Sequence, residues 1–567
     1  MVAKNKSERL RRLLSHGYFT PELPPCFVST DLARYRKWIS ERIEALPAIQ
    51  QQPAYYRYIT EPAWFYFPRF GKDDRRHGVP NPVSYLLLSK AIADNYVHLR
   101  RSAKKSQLTS SPPVFDWSGT RAVMRPSVDL RDDFRIDLSS RREEYVSADV
   151  RSFFHSIYTH SIPWAIYGKA WAKIPANRGY AHYGNLLDLL SRNLQGAQTI
   201  GLPVGPDTSR LLAEVVASGI DEKLRQRLGV TARDASRYID DFTISGVNGE
   251  RGEDIIAVLR QAASHFELEL NNEKSEVNST ATRHNIGWKQ AARAYIPRGN
   301  PDLPSMQQFF YEVGRLCEAH PTINVEKFAF ACARTAFMRS SGWRTIQSLL
   351  VNAYRRNSTL VSLVVEIFLL RQIDRGDLDL TNLKDFLDHR LPSLARANRT
   401  GEIIWLLFLA IRLGVVVGAR AAESLLQVDN GMVGLLAALA KSRHLIQGQF
   451  DLGLWNSSHT PDGLKGPMWL YAYQTALQGI LPGIDTTFVE QDPYFSPLFA
   501  KRVSFLRIEN GFASVANTIQ SLRGENERIS RVRSDFLEDF TVDIEDYDDD
   551  DFDEADEAGD AVIDEGY

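Results

Sequence analysis

The pattern of apolar and polar positions changes character near residue 300. Before that point, residues 143–158 (EEYVSADVRSFFHSIY) are typical of a buried strand that ends in an acidic residue and then turns. Residues 236–246 (SRYIDDFTISG) alternate around two adjacent carboxylates, which predicts a hairpin. The turn-forming and basic residues that begin at 61 predict turns. Helical spacing predicts helices from about Val83 onward, over 207–228 with Asp207 as N-cap, and over 252–270.

Helix signals dominate beyond the turn IPRGNPDLPS, which ends the mixed region near residue 300. Apolar runs recur at intervals of roughly 20 to 30 residues, a spacing typical of helix pairs stacked in a solenoid. We therefore expect a mixed α/β part over 1–300, an α-helical, HEAT-like repeat domain over 301–533 and a disordered acidic tail over 534–567. The helices predicted in the second part lie at 326–338, 343–355, 359–373, 402–417 and 431–441.

The near-neutral formal charge of the chain, −2, hides an asymmetry. Residues 534–567 carry 17 acidic side chains and no Lys or Arg, which leaves 68 basic against 53 acidic side chains in residues 1–533, a net charge of +15. This basic body favours an anionic partner such as nucleic acid. The basic cluster Arg100–Lys105 either follows a nucleic-acid backbone or is a solvated loop. The tail is either a solubilising terminus or a decoy that competes with nucleic acid for the body.

The cysteine content indicates a reducing compartment, and the hydropathy of the chain indicates that it does not enter the membrane. The three cysteines, Cys26, Cys317 and Cys332, are far apart and odd in number, so we expect neither a disulfide framework nor a zinc motif. The first residues lack the apolar core of a signal peptide. The most apolar run, Ile403 to Ile411, is shorter than the ~20 residues that span a bilayer. We expect a cytoplasmic protein that does not enter the membrane.

Three carboxylates, Asp149, Asp240 and Asp241, stand out because apolar, β-prone residues surround them. Adjacent buried carboxylates repel each other and lose hydration, so they require a compensating cation. Mg²⁺ prefers oxygen ligands, commonly one or two carboxylates together with substrate phosphates. Two such ions ~3.5–4 Å apart can activate an attacking hydroxyl and stabilise a leaving oxygen. Other Asp-Asp pairs, at 73–74 and 132–133, lie in polar, turn-rich surroundings and are expected to be solvated.

These carboxylates belong to a series of motifs that resembles reverse transcriptases. Tyr238–Asp241 (YIDD) is similar to the Y-x-D-D box, and Ser147–Ile157 (SADVRSFFHSI) to the first catalytic strand of group II intron and retron enzymes. Gly201–Val215 resembles the G-L-P-x-G block, and Leu268–Val277 a later segment with a lysine. Order and spacing agree over about 60–290. YTHSIPWAIYGKAWAK, PNPVSYLLLSKAI and the helical half look like bacterial abortive-infection and defence-associated reverse transcriptases.

The resemblance implies an α+β right-hand polymerase with fingers and palm, in which the all-α helical half stands in place of an ordinary thumb. Asp149, Asp240 and Asp241 would bind two Mg²⁺ ions, with Mn²⁺ as an alternative. The backbone carbonyl of Val150 would be a further metal ligand. Lys274 would protonate or neutralise the leaving pyrophosphate, unless it is a solvated lysine at a helix end.

The resemblance also implies a nucleotide site. Phe154, five residues after Asp149, matches the steric gate whose ring clashes with a ribose 2′-hydroxyl; the other interpretation is a core aromatic beside Phe153. Tyr238 would pack near the primer terminus. The other implied nucleotide-binding residues are Lys72, Arg75 and Arg76, which would grip the triphosphate, and Gly201, Pro203 and Gly205, where the backbone would approach the nucleotide closely. For Arg75, the interpretation as an ordinary surface arginine also stays open.

The implied activity is that of a DNA nucleotidyltransferase, a reverse transcriptase that uses deoxynucleotides. The family block usually has Gln-Gly-Ser after the proline, whereas this chain has Val204-Gly205-Pro206. RNA-directed and template-independent synthesis therefore both stay open, as does priming from a protein tyrosine. The resemblance further implies a role in antiphage defence, DNA and/or RNA as partners, and homo-oligomers. A requirement for a noncoding RNA stays open.

Two other interpretations of the same residues stay open. The first is an RNA polymerase built on the same palm, against which the aromatic Phe154 argues. The second is a palm kept as a nucleic-acid-binding scaffold, without a need for catalysis, in which the helical half is the effector. The presence of all three aspartates argues against the second interpretation.

Overall fold

The computed structural model describes residues 5–124, 129–280, 287–512 and 520. The predicted acidic tail over 534–567 lies outside these residues. Within the described part of the chain, every β-strand precedes residue 280, and the regular structure after residue 287 is helical. The helical structure that the pattern predicts beyond residue 300 is present. Among the same residues, no helix combines the length and the apolar character that crossing a membrane requires.

The first part of the chain contains six strands and twelve α-helices within the described residues. The strands are β1 Ala63–Arg69, β2 Lys72–Val79, β3 Glu144–Asp149, β4 Ala235–Tyr238, β5 Asp241–Ile244 and β6 Glu276–Ser279. The α-helices are α1 Lys6–His16, α2 Thr30–Glu44, α3 Pro82–Asp94, α4 Tyr96–Lys104, α5 Asp129–Ser139, α6 Phe153–Ser156, α7 Ser161–Tyr167, α8 Lys169–Lys173, α9 Tyr183–Asn193, α10 Asp207–Leu228, α11 Gly252–Ser264 and α12 Trp288–Ala294. Short 3-10 helices lie at Ala54–Arg57, Pro175–Asn177 and Asn272–Lys274.

The second part is built from thirteen further α-helices within the described residues. They are α13 Leu303–Ala319, α14 Val325–Cys332, α15 Arg334–Arg339, α16 Trp343–Arg356, α17 Val361–Asp374, α18 Leu380–Arg396, α19 Thr400–Leu413, α20 Ala419–Leu425, α21 Gly431–Ser442, α22 Gly453–Asn456, α23 Trp469–Gln478, α24 Thr487–Glu490 and α25 Ser496–Ala500. A 3-10 helix at Ser358–Leu360 precedes α17.

The strands form two antiparallel sheets. β1 and β2 make a separate hairpin, and the other four strands follow the order β4-β5-β3-β6. β3, one of the two central strands, is apolar at its core positions Val146 and Ala148 and pairs with both β5 and β6. The helix α11 packs against β3 and β6, and α10 packs against α11. The predicted strand in 143–158 and the predicted hairpin in 236–246 are both present.

The β1–β2 hairpin is missing from the prediction, which expected turns before the Val83 helix. β1 buries alternate side chains, but the first five residues of β2 (KDDRRHGV) are exposed or half-buried and the last three are buried. A strand whose exposed and buried residues form two blocks carries no apolar alternation, so the pattern does not identify it.

Asp207 has a different role from the predicted N-cap. It is the first residue of α10, and Pro206 stands at the N-cap position. The buried carboxylate of Asp207 accepts hydrogen bonds from the backbone N–H groups of Ala122 and Val123, both at 3.0 Å, and forms an ion pair with Arg121. Arg121 also donates to the carbonyl of Gly205 at 2.9 Å. Asp207 therefore anchors a loop beside the G-L-P-x-G block.

Four helices of the second part, α17, α19, α21 and α23, pack one after another in a row. α19 is buried at every position from Thr400 to Ile411 and also packs against β1. The predicted run 326–338 is divided between α14 and α15, and the prediction does not include α13, α18, α20, α22, α23, α24 or α25. Continuous apolar packing joins the two parts. The division at residue 300 and the assignment to HEAT-like repeats stay predictions.

Candidate active site

The four-stranded sheet and the helices α10 and α11 packed beside it are called the palm below. They bring the three predicted aspartates to one end of this sheet. Asp149 ends β3 and stands opposite Asp241, which begins β5. Asp240 precedes Asp241 in the turn between β4 and β5, and its carbonyl accepts a hydrogen bond of 3.2 Å from the N–H of Val150. Tyr238, also paired with Asp241, ends β4 and is half-buried. The predicted convergence of these residues is present.

A buried ion cluster supports the turn that carries Asp240. Ile239 has φ of +60°, a left-handed conformation that is unusual for a β-branched residue. Its carbonyl accepts a hydrogen bond of 2.7 Å from Arg237. Arg237 is fully buried and forms ion pairs with Asp221 at 2.8 Å and Glu214 at 2.6 Å. Sequence reasoning missed this cluster, because an arginine within a predicted strand gives no sign that two carboxylates of α10 meet it.

The electrostatics of Asp240 fit a cation-binding position. Burial, followed by the neighbouring charge of Asp149, raises the pKa of Asp240 to about 7. A carboxylate in this position is destabilised by lost hydration and by repulsion, and a bound cation would relieve both effects.

Positively charged side chains meet the other two aspartates. Lys274 forms an ion pair with Asp149, so this predicted catalytic lysine does lie at the site. Burial alone would lower the pKa of Lys274, but the hydrogen bond to Asp149 and its charge, together with Lys72 and the charge of Asp240, raise it overall. Arg131 contacts Asp241 at 2.7 Å and Arg135 contacts the same carboxylate at 3.4 Å.

The two arginines of α5 were not predicted as site residues. They are four positions apart, which places both on one face of the helix. This spacing is the only sign in the sequence, and it does not reveal that the face turns toward Asp241, more than 100 positions later in the chain.

The oxygen atoms at this site are ligands that suit Mg²⁺, although the three carboxylates are not arranged as a complete metal site. Among the described residues, no group of three or more His, Cys, Asp or Glu side chains has the geometry of a metal site. Lys274 is paired with Asp149, and Arg131 with Asp241. Carboxylate oxygens from Asp149, Asp240 and Asp241, with the backbone carbonyl of Val150, are the hard ligands that Mg²⁺ prefers. The residues therefore fit the predicted ions.

Phe154, the predicted steric gate, lies against the G-L-P-x-G block. The carbonyl of Phe154 accepts a hydrogen bond of 2.6 Å from the N–H of Leu202, inside the G-L-P-x-G block. Phe153 is buried, whereas Phe154 is half-buried. Gly201 and Gly205 have φ of +96° and +128°, which glycine adopts readily.

The G-L-P-x-G block also contacts the β1–β2 hairpin, which carries the predicted fingers residues. The carbonyl of Val204 accepts a hydrogen bond of 3.1 Å from the N–H of Gly78 in β2. A side chain added at Gly78 would lie 3.1 Å from Pro203. The predicted nucleotide-binding segment therefore packs between α6 and the hairpin.

The three predicted fingers residues occupy different positions on β2. Lys72 lies beside Lys274, and burial together with this like charge lowers the pKa of Lys72. Arg76 stacks on the ring of Trp64 at 4.3 Å. Arg75 is exposed and stands opposite Phe67. Of the three, Lys72 is the one brought to the aspartates; the triphosphate role of all three stays a prediction.

His155 joins palm and fingers and was not predicted as a site residue. A ring nitrogen of His155 lies 3.1 Å from the carbonyl oxygen of Arg76. This histidine follows Phe154 directly, so the helix that carries the predicted gate also contacts the strand that carries the predicted triphosphate-binding residues.

Part of the chain matches a known protein family. Forty-six chains of solved structures are similar to the protein. One is telomerase from Candida albicans in complex with a TWJ fragment of telomeric RNA, at 12% identity and a TM-score of 0.25, over 65% of this chain and 68% of that chain. A TM-score of this size supports no inference. No curated protein matches. Residues 90–294, which include the three aspartates and Lys274, match the family described as "Reverse transcriptase (RNA-dependent DNA polymerase)", so this chain carries a reverse transcriptase domain and is a nucleotidyltransferase.

Proposed function

We propose that this protein synthesises DNA by transferring deoxynucleotides to a hydroxyl group, with Mg²⁺ bound by Asp149, Asp240 and Asp241. The observation that carries the proposal is the meeting of these three carboxylates at the end of the β3–β5 ladder. Oxygen donors clustered in this way suit divalent ions that also bind substrate phosphates. The reverse transcriptase domain supports RNA-directed synthesis. The replacement of Gln-Gly-Ser by Val204-Gly205-Pro206 also leaves template-independent synthesis as a candidate.

The proposed reaction is an in-line displacement at phosphorus. The attacking hydroxyl oxygen forms a bond to the α-phosphorus and loses its proton, the bond from that phosphorus to the bridging oxygen breaks, and pyrophosphate leaves. Bound divalent ions would lower the pKa of the attacking hydroxyl and neutralise charge on the leaving group. Lys274 and Lys72, which lie together beside Asp149, bring positive charge to the side where pyrophosphate would leave. Catalysis would then come mainly from positioning and charge neutralisation.

The direct test is incorporation by the purified full-length protein. It is incubated with Mg²⁺ and each labelled deoxynucleotide in turn, without nucleic acid, with a primed RNA template and with a primed DNA template. Incorporation in any of these reactions supports the proposal, and its absence from all of them, with Mn²⁺ also tested, overturns it. Label that migrates with the protein until protease treatment would identify a protein hydroxyl as primer.

Phe154 is proposed to exclude ribonucleotides. Replacement of Phe154 by alanine should lower the preference for deoxynucleotides over ribonucleotides by ~10–100-fold, because a steric contact of this kind contributes ~1–3 kcal/mol to discrimination. Phe154→Tyr keeps the ring and should keep the preference. The measurement is kcat/KM for each nucleotide with both variants. An unchanged preference in Phe154→Ala would assign the ring to packing, and ribonucleotide incorporation by the unaltered protein would favour the RNA polymerase interpretation.

We further propose a role in antiphage defence, in the cytoplasm, with DNA and/or RNA as partners and with a homo-oligomer as the working form. The support is the resemblance of Tyr158–Lys173, of PNPVSYLLLSKAI and of the helical half to defence-associated reverse transcriptases. Cells that express the protein should resist phages, and a change of both Asp240 and Asp241 to alanine should abolish resistance together with incorporation. Plaque counts measure this outcome. Resistance that survives the double change would favour the scaffold interpretation.

A further inference from the structure

The β1–β2 hairpin, which carries the three predicted triphosphate-binding residues, is held along both of its edges. The β2 edge faces the palm, through the bond from Gly78 to the carbonyl of Val204 and the contact of His155 with the carbonyl of Arg76, both at 3.1 Å. The β1 edge faces the helical half. A two-stranded hairpin is marginal by itself, so the groups along its edges determine where it lies.

Backbone groups of β1 bind directly to the helical half. The N–H of Tyr66 donates to the hydroxyl of Thr400, the first residue of α19, at 2.9 Å. The side chain of Asn430 donates to the carbonyl of Trp64 at 2.6 Å. A methyl group added at Gly401 would lie 2.4 Å from the carbonyl oxygen of Tyr66. The first turn of α19 therefore lies directly against the strand, with no room for a side chain between them.

An ion pair fixes the other strand to the same helix end. Arg399, which precedes α19, donates to both carboxylate oxygens of Asp74, at 2.9 and 3.2 Å. Arg399 is itself held by Glu402 at 3.0 Å. Glu402 is fully buried and also binds Arg390 at 3.0 Å and the hydroxyl of Tyr354. The guanidinium that reaches Asp74 is therefore oriented by a buried carboxylate.

The register places these contacts at the predicted triphosphate-binding positions. Tyr66, bound by Thr400, stands directly opposite Arg76. Asp74, bound by Arg399, immediately precedes Arg75. Trp64, bound by Asn430, carries the guanidinium of Arg76 on its ring at 4.3 Å. Each contact from the helical half thus acts on a residue next to one of the two arginines.

The geometry points to the helical half as a component of the nucleotide site: Arg399, Thr400 and Asn430 are positioning residues that hold the hairpin where Lys72, Arg75 and Arg76 meet the triphosphate. This inference rests on the proposed DNA-synthesising function. None of the three positioning residues touches the substrate. They act by restricting the hairpin, and a hairpin that is already held in its binding position loses less freedom when the nucleotide binds, which favours a low KM. The matched segment 90–294 includes neither the hairpin nor α19.

The test removes one hydrogen bond while keeping the shape of the side chain. Thr400→Val is nearly isosteric and leaves the N–H of Tyr66 without its acceptor, whereas Thr400→Ser keeps the hydroxyl. In Thr400→Val, the KM for deoxynucleotide should rise roughly tenfold, the effect of one uncompensated hydrogen bond, with kcat and the Kd for primed template within about twofold of the unaltered protein. Thr400→Ser should behave as the unaltered protein does. Hydrogen exchange should increase within residues 63–79 of Thr400→Val.

A second variant and a control cover the case in which Thr400→Val fails to fold. Arg399→Gln breaks the pair with Asp74 at a more exposed position and should raise the KM for deoxynucleotide in the same way. Arg344→Gln removes a guanidinium that is 90% exposed in the same half and should change nothing. An unchanged KM in a folded Thr400→Val or Arg399→Gln protein would overturn the inference, as would an equal rise in Thr400→Ser. If the unaltered protein incorporates no nucleotide, the proposed function fails instead, so the two failures are distinguishable.

Discussion

Replacement of Asp240 by asparagine should stop nucleotide incorporation and, at the same time, raise the thermal stability of the metal-free protein. We expect incorporation to fall by at least ~10³-fold, because the change removes a charged ligand from ions that supply several kcal/mol of transition-state stabilisation. The opposite effect on stability follows from burial and from repulsion by Asp149, which raise the pKa of Asp240 to about 7. Asparagine has nearly the same shape and carries no charge.

The stability effect has a defined pH dependence. The pKa of Asp240 in the folded protein, about 7, is higher than the ordinary aspartate value of 3.8, so the folded state retains this proton more strongly than the unfolded state does. Stability from this group is fully present below pH ~4 and is lost as the pH rises toward 7. Each pKa unit corresponds to ~1.4 kcal/mol, which makes the penalty above pH 7 a few kcal/mol. The Tm of Asp240→Asn should therefore exceed that of the unaltered protein at pH 8, and the gap should narrow at pH 5.

Thermal unfolding in the presence of a chelator, together with incorporation assays, checks both parts of this prediction. Asp374→Asn is the matched control, since Asp374 ends α17 as an exposed carboxylate that pairs with Arg375 at 3.2 Å. It should alter neither property. A lower Tm in Asp240→Asn, or activity within tenfold of the unaltered protein, would contradict the role assigned to Asp240.

The second large effect is expected at Arg237. Replacement of Arg237 by methionine should lower the free energy of unfolding of the palm by ~3–5 kcal/mol, because the carboxylates of Asp221 and Glu214 stay buried without their cation. Arg225→Met is the matched control. Arg225 lies on α10 in a surface pair with Glu222 at 3.3 Å, and surface pairs contribute ~0–1 kcal/mol. Urea denaturation followed by fluorescence measures both variants.

A combined variant separates stability from positioning. In Arg237→Met with Asp221→Asn and Glu214→Gln, no unpaired charge is buried, so most of the lost stability should return. The carbonyl of Ile239 still lacks the donor that supports its left-handed conformation. We therefore expect incorporation to stay at least about tenfold below that of the unaltered protein, the effect of one uncompensated hydrogen bond next to Asp240. Full recovery of incorporation would show that Arg237 contributes only stability.

The sequence predicts those site residues at which a strand pattern coincides with a charged side chain that burial disfavours. Asp149 ends an apolar strand, and Asp240 and Asp241 interrupt another, so each position combines a strand signal with a charge that burial disfavours. The pairing of Asp149 with Asp241 then follows once both strands enter one sheet. The lysine at 274 was found through the resemblance of its segment, and it meets Asp149.

What the sequence does not predict depends on contacts between distant segments. The ion pairs of Arg131 and Arg135 with Asp241 join a helix to a strand that comes more than 100 residues later. The bond between Tyr66 and Thr400 joins residues 334 positions apart. Periodicity does not mark these contacts, because arginines on a helix face and a threonine at the start of an apolar helix are common. Only the packing of whole elements gives these side chains their partners.

The close approach of α19 to β1 has a consequence for attempts to isolate the catalytic part of the protein. A fragment cut at residue 300 would keep the aspartates but would uncover the β1 edge and its hydrogen-bonding groups, while the released helical half would present α19, apolar over most of its length, to water. Unpaired strand edges and large apolar faces both promote aggregation. Expression, crystallisation and domain-exchange experiments should therefore use boundaries that keep hairpin and helix in one polypeptide.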